Sequence, residues 1–440
     1  MSQDRYGLPL TSASPRAVEA YRAGVDRILL AVPGADQAFE EALAADPGFA
    51  LAAIGLARTH QIHGRIPEAQ AAGRRARALT GGLTRREQQH VAAIGTLLDG
   101  DARGALAAVR AHVGEFPRDA LVLSLAVGAF GLIAFSGRVD HNALLLGLLD
   151  ELAPHYGDDW WFAFAHGWAL NEARRPAEAR TLMERALAAQ PRSANAAHGI
   201  SHICYETGAG DEGARFLAGW LPAYERASTL HCHLSWHLAL FELERDDTDA
   251  ALRVYEDAIA PSASIAPPLN TLSDSAAFLW RLGLYGAPAA PARWQPVRDF
   301  AAQAFARPGL AFADIHAALA YAGHGDGAAL ARLVEAFREA ERAGRLPSGP
   351  VPAALAEGVG AFAAGDYEGA IRHIEPVAEA VIRLGGSHAQ RDIFEETLIQ
   401  AYLRAGQAAN AARFLERRLA RRPSARDREW LTRARGSGGP

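Results

Sequence analysis

Apolar positions recur along this chain at the three-and-four spacing of a buried helix face, and the helices they predict come in pairs. Within a pair, a small residue in the first helix is followed twelve residues later by another in the second, then seven on by a third, often with Pro five beyond. Ala57, Ala69 and Ala76 fit, as do Ala93 and Ala105 with Pro117. Gly167, Ala179, Ala186 and Pro191 give the full ladder, while Ser201 and Gly213 give part of it. Ala239, Ala251 and Ala258 repeat it, then Ala317, Ala329 and Ala336, then Gly358 and Ala370. Antiparallel helices whose axes lie about 8–10 Å apart leave no room for a large side chain where they cross. Helix stops fall between the rungs at Gly64, Gly100-Asp101, Arg175-Pro176, residues 208–211, Gly365-Asp366 and Gly406. No stretch alternates as a strand would.

This is the ladder of a tetratricopeptide helix-turn-helix unit. The expected fold is therefore all-α: an α–α superhelical array of such repeats in one domain, either closed around a central cavity or decorated by the extra elements. Residues 1–118 form N-terminal repeats, 158–260 central His-rich repeats and 311–430 C-terminal repeats. Two stretches interrupt the array. Residues 119–157 are expected to add two apolar helices. The apolar run 120–135 is shorter than the ~20 residues of a membrane span and suits a buried core helix. Residues 261–310 are expected to give a helix over about 269–285 and then a loop, because Pro288 and Pro291 follow. Residues 431–440 are expected to be a flexible tail.

Half of the 440 residues are hydrophobic, enough for a large core, and the net charge of −5 argues against a nucleic-acid partner. The basic run Arg413, Arg417, Arg418, Arg421 and Arg422 suits a solvated helix face. Cys204 and Cys232 do not make a disulfide framework. No signal pattern opens the chain, so the expected location is the cytoplasm, without a membrane partner.

The chemistry-bearing residues concentrate in registers that face the concave side of such an array. Counted from the small residue as repeat position 8, Trp161, Phe164, Trp168 and Asn171 fall at positions 2, 5, 9 and 12 of one unit. In the next, His198, His202 and Glu206 take positions 5, 9 and 13, and in the one after that His233 and His237 take positions 2 and 6. Asp314 and His316 follow at positions 5 and 7 of a later unit. Spacing of i, i+4, i+8 puts His198, His202 and Glu206 on one helical stripe, and His233 and His237 share the same spacing. Paired i, i+4 imidazoles are also metal-ligand spacing, so His198, His202, His233 and His237 form the set for a divalent metal. The competing reading is that these histidines hydrogen-bond across helices. Residues 385–392, Gly-Gly-Ser-His-Ala-Gln-Arg-Asp, crowd polar groups at a helix start that Ser387 can cap. His388 and Arg391, with Asp392 beside them, would hold an anion there. Asp274 caps its helix, or either it or Asp314 partners an imidazole, and Trp236 joins the ligand-facing set. No phosphate-cradling loop, nucleophile elbow or Cys-x2-Cys pair is present.

With these residues assembled, the chain resembles the tetratricopeptide repeat protein 38-like family. The carrying segments are Ala197-His-Gly-Ile-Ser-His-Ile-Cys-Tyr-Glu-Thr-Gly208, His233-Leu-Ser-Trp-His-Leu-Ala-Leu-Phe-Glu-Leu-Glu244, Asp274-Ser-Ala-Ala-Phe-Leu-Trp-Arg-Leu282, Phe312-Ala-Asp-Ile-His316 and Gly385-Gly-Ser-His-Ala-Gln-Arg-Asp392. They span about residues 160–400. Cys204-Tyr205 departs from the family pattern, which has a bulkier apolar residue there. The resemblance implies a helical-repeat fold and supplies no reaction.

Two functions fit. The first is an internal site for a small anionic molecule, with hydrolysis-type chemistry carried by His202, His237, Asp314, His316 and His388. His198, Glu206, His233, Trp236, Asp274, Trp161, Trp168, Arg391 and Asp392 would bind or orient the ligand, and either a divalent metal or no cofactor would serve. The second is a non-catalytic scaffold for a protein or peptide partner. A homodimer suits either.

Overall fold

A computed structural model describes residues 2–436 of the chain. Among the described residues it is all-α, with 23 α-helices and one antiparallel pair of two-residue strands, Ser2–Gln3 and Pro9–Leu10. Contacts divide it into two compact units. The first runs up to Ser136 and takes in Asp140–Gly199 and Ala227–Leu230. The second holds Gly137–Val139, Ile200–Arg226 and the chain from His231 onward.

Helix pairs build both units, and the small-residue ladder lies at their crossings. In the first unit, Ala50–Ile62 packs on Ile66–Ala78 and Trp160–Glu172 on Pro176–Ala189. Ala57, Ala69, Ala76, Ala179 and Ala186 are all fully buried there. Arg85–Leu98 and Ala102–Glu115 pair likewise through Ala93 and Ala105. In the second unit Ala311–His324 pairs with Gly327–Arg342, and Val351–Ala363 with Tyr367–Ile374. Each unit is thus all-α and built of tetratricopeptide-like helix hairpins. No helix among the described residues is long and apolar enough to cross a membrane.

Four expectations change. The run 120–135 is not a core helix: only Ala120–Leu123 is helical, and the chain then turns through Gly128 and Gly131 to a short 3-10 segment, Ala134–Ser136. A single long helix, His141–Tyr156, follows. After Pro268–Leu284, the stretch expected to be loop forms a helix, Pro291–Ala304. Pro291 opens it at the first position, where a missing N–H costs nothing. The expected tail begins inside the helix Ala425–Gly436, and residues 437–440 lie outside the described residues. Finally, the basic run is not one solvated face, because Arg418 and Arg422 are buried. Arg418 contacts Asp427 at 3.1 Å, Glu395 at 3.0 Å, Glu396 at 3.4 Å and Asp392 at 3.5 Å.

Candidate functional site

In the second unit, four of the predicted polar residues meet in the core. The helix His231–Glu244 is apolar on all sides and buried over most of its length, so its histidines are carried inside. His202, on the helix Ala194–Glu206, meets His237 edge to face, with ring centroids 4.5 Å apart. His233 lies one helical turn from His237, and their rings are 4.9 Å apart at 79°. Nδ1–H of His233 donates to Oδ1 of Asp274 at 2.9 Å. Asp274 lies on the helix Pro268–Leu284 and also accepts from the Ser273 hydroxyl at 3.3 Å. The indole of Trp236 stacks on His233 at 5.2 Å, and the Arg281 guanidinium lies 5.6 Å from the Trp236 ring. His198 is one turn before His202 on the same helix, which puts both on one stripe.

Burial governs the charge state of these imidazoles. It holds His202 well below the usual histidine range, and the neighbouring His233, His388 and Arg391 push the same way. His316 is lowered to about 4, again chiefly by burial, although its Nδ1–H bond to the Phe312 carbonyl at 2.7 Å opposes this. Asp314 moves the other way: burial raises it to about 7, against backbone bonds from Gly309 and Leu310. Its carboxylate accepts from the Gly309 N–H at 2.9 Å, in the loop before its own helix. Of the two acids considered as imidazole partners, Asp274 has that bond.

The glycine-rich segment is tied to itself. Gly385 and Gly386 both take positive φ, 76° and 73°, and their carbonyls accept from Nη1 of Arg391. Ser387 and Gln390 close a capping box over the start of the helix His388–Arg404. Nδ1 of His388 lies 3.4 Å from Glu206, while Asp392 accepts from the Tyr205 hydroxyl at 2.9 Å. Trp161, Trp168 and His198 lie in the first unit. Trp161 packs on Tyr156, and Trp168 stacks on His198 with centroids 5.3 Å apart.

Several buried residues were not singled out from sequence. Nε of Arg281 donates to Glu396 at 2.9 Å and its Nη2 to the Ala389 carbonyl at 2.5 Å. The only local signal was a lone arginine in an otherwise apolar helix face. A second cluster lies in the first unit. His90 and His112 both bond Oδ2 of Asp119, at 2.9 and 3.1 Å, and Arg86 reaches the same oxygen at 3.0 Å. Burial alone would raise Asp119; His90, His112 and Arg86 overturn this and hold it well below the usual range. A guanidinium on the shared oxygen makes this an ion-pair hub.

No known family's sequence profile matches the chain. Its fold is similar to that in the crystal structure of yeast Tom70, at 11% identity over 96% of this chain and 95% of that one, with a TM-score of 0.34. It is also similar to the APC/C hetero-tetramer Cut9-Hcn1, at 12% identity, 96% and 97% coverage and a TM-score of 0.36. The human IFIT1 dimer with m7Gppp-AAAA gives 13% identity, 99% and 97% coverage and a TM-score of 0.32.

Proposed function

We propose that the second unit of this repeat protein binds a small anionic molecule and converts it by hydrolysis-type chemistry. The observation that carries the reading is the meeting of His202, His233 and His237 with Asp274 inside the core of the second unit. An imidazole held by a buried carboxylate is fixed in one tautomer, with the lone pair of its other nitrogen aimed at whatever the site holds. The anionic character of the ligand follows from unused donors. Among the described residues, Nη1 of Arg281, Nε1 of Trp236 and Nε2 of Gln390 are buried without an acceptor. Each such group costs about 1–3 kcal/mol, which a carboxylate or phosphate would recover. In this reading Arg281, a residue absent from the sequence-level set, replaces Arg391 as the main cation, because Arg391 donates to its own loop.

The test is a thermal-shift panel of small carboxylates and phosphates on the full chain, with mass spectrometry of any small molecule released on denaturation. A ligand that raises Tm for the wild type but not for His202→Ala or Arg281→Met supports the site. Capture of a peptide whose binding is unchanged in both variants, with no small-molecule response, would favour the scaffold reading instead.

A further inference from the structure

The geometry points to a divalent metal of the zinc class held by the imidazoles of His202, His233 and His237. This inference rests on the reading that these three rings form the working wall of a site, and it names what they hold. Each offers a ring nitrogen within 4.8 Å of the others. Tetrahedral zinc with bonds of about 2.0–2.1 Å needs nitrogens about 3.3 Å apart, a gap that small rotations of the rings close.

The second observation is Asp274. A metal-bound histidine almost always gives its other N–H to a carboxylate or carbonyl, which fixes the tautomer and aims the lone pair at the ion. His233 does so through Nδ1–H to Asp274 at 2.9 Å, which leaves the lone pair on Nε2. Asp274 is itself steadied by Ser273 and lies 3.7 Å from the Cys232 sulfur.

The first unit supplies a contrast. His90, His112 and Asp119 meet the same spacing, yet Arg86 sits 3.0 Å from the shared carboxylate oxygen and takes a cation's place there. Around His233 the neighbouring guanidinium, Arg281, is drawn away to Glu396 and the Ala389 carbonyl. An all-imidazole set favours zinc, copper, iron or nickel over calcium or magnesium. Three ligands leave a fourth position for water or the bound anion, as in catalytic zinc sites.

The experiment uses the untagged full chain, stripped with chelator and titrated with Co2+ alone, read by visible absorption and by elemental analysis. One equivalent of Co2+ with the intense bands of a tetrahedral site is expected, lost in His237→Ala. Asp274→Asn, which keeps the side-chain shape, should weaken Co2+ binding by about 10–100-fold with unchanged circular dichroism. Retained affinity in His198→Ala, with a water-exchangeable spectrum, would mark the open three-ligand site. Folded wild type that takes up no Co2+, or uptake indifferent to both His237→Ala and Asp274→Asn, overturns the proposal. If Co2+ fails while the His202-dependent small-anion response persists, the metal falls and the site stands. If both fail, both fall.

Discussion

Replacing Asp314 by Asn should make the protein more stable at neutral and alkaline pH, by an amount that grows with pH. Asp314 is almost wholly buried, and its carboxylate accepts from the Gly309 N–H. Burial raises its carboxyl from 3.8 in the unfolded chain to about 7 in the folded one. Between those values the folded protein keeps a proton that the unfolded chain has released, so stability falls as pH rises through this window. A gap of about three pH units at about 1.4 kcal/mol per unit gives a loss of about 4 kcal/mol by pH 8. Asn keeps the shape, accepts from Gly309 through its amide oxygen and cannot ionise. The assay is urea unfolding of both proteins at pH 4.5, 6 and 8. Other titrating groups cancel in the difference. A gap of about 1 kcal/mol at pH 4.5, growing to about 4 kcal/mol at pH 8, is expected. A gap independent of pH, or an Asn variant less stable at pH 8, would refute the reasoning.

Removing Arg418 should be among the most damaging single changes. Arg418→Ala leaves Asp427 buried without its cation and Glu396 with Arg281 alone, and should cost about 3–5 kcal/mol in urea unfolding; a loss under 1 kcal/mol would contradict the buried network. Ala179→Leu puts three extra carbons at a fully buried helix crossing and should cost about 1–3 kcal/mol, read as a lower Tm with unchanged helical circular dichroism.

The architecture was legible wherever a steric rule acts on single positions. Close helix approach demands small residues, so the ladder could be counted from sequence. The first hairpin, Pro15–Leu30 and Ala35–Ala45, escaped that count because its crossing is solved the other way round. Phe39 fills the space, and a Cβ on Gly24 or Gly55 would come within 2.7 and 2.6 Å of its ring. Hydrophobicity alone misread residues 120–135, since it does not separate a buried helix from buried turns. Pro291 was read as a breaker although proline also opens helices.

The site was legible only in part, for a related reason. The i, i+4 spacing of His233 and His237 is local, so it shows in the sequence. The choice of Asp274 over Asp314 as the imidazole's partner depends on which helix packs against which. The Arg281–Glu396 pair spans 115 positions and leaves no local trace. Arg418 looked like a solvated charge because helical spacing is the same whether a side chain meets water or a buried carboxylate.

That arginine has a consequence for the order in which the protein is made. Its guanidinium leaves water for a core whose counter-charges arrive from both directions along the chain: Asp392, Glu395 and Glu396 before it, Asp427 after. During synthesis the last of these counter-charges joins only when the helix Ala425–Gly436 has emerged, and a chain cut after Ser424 would leave the guanidinium to the three earlier carboxylates alone.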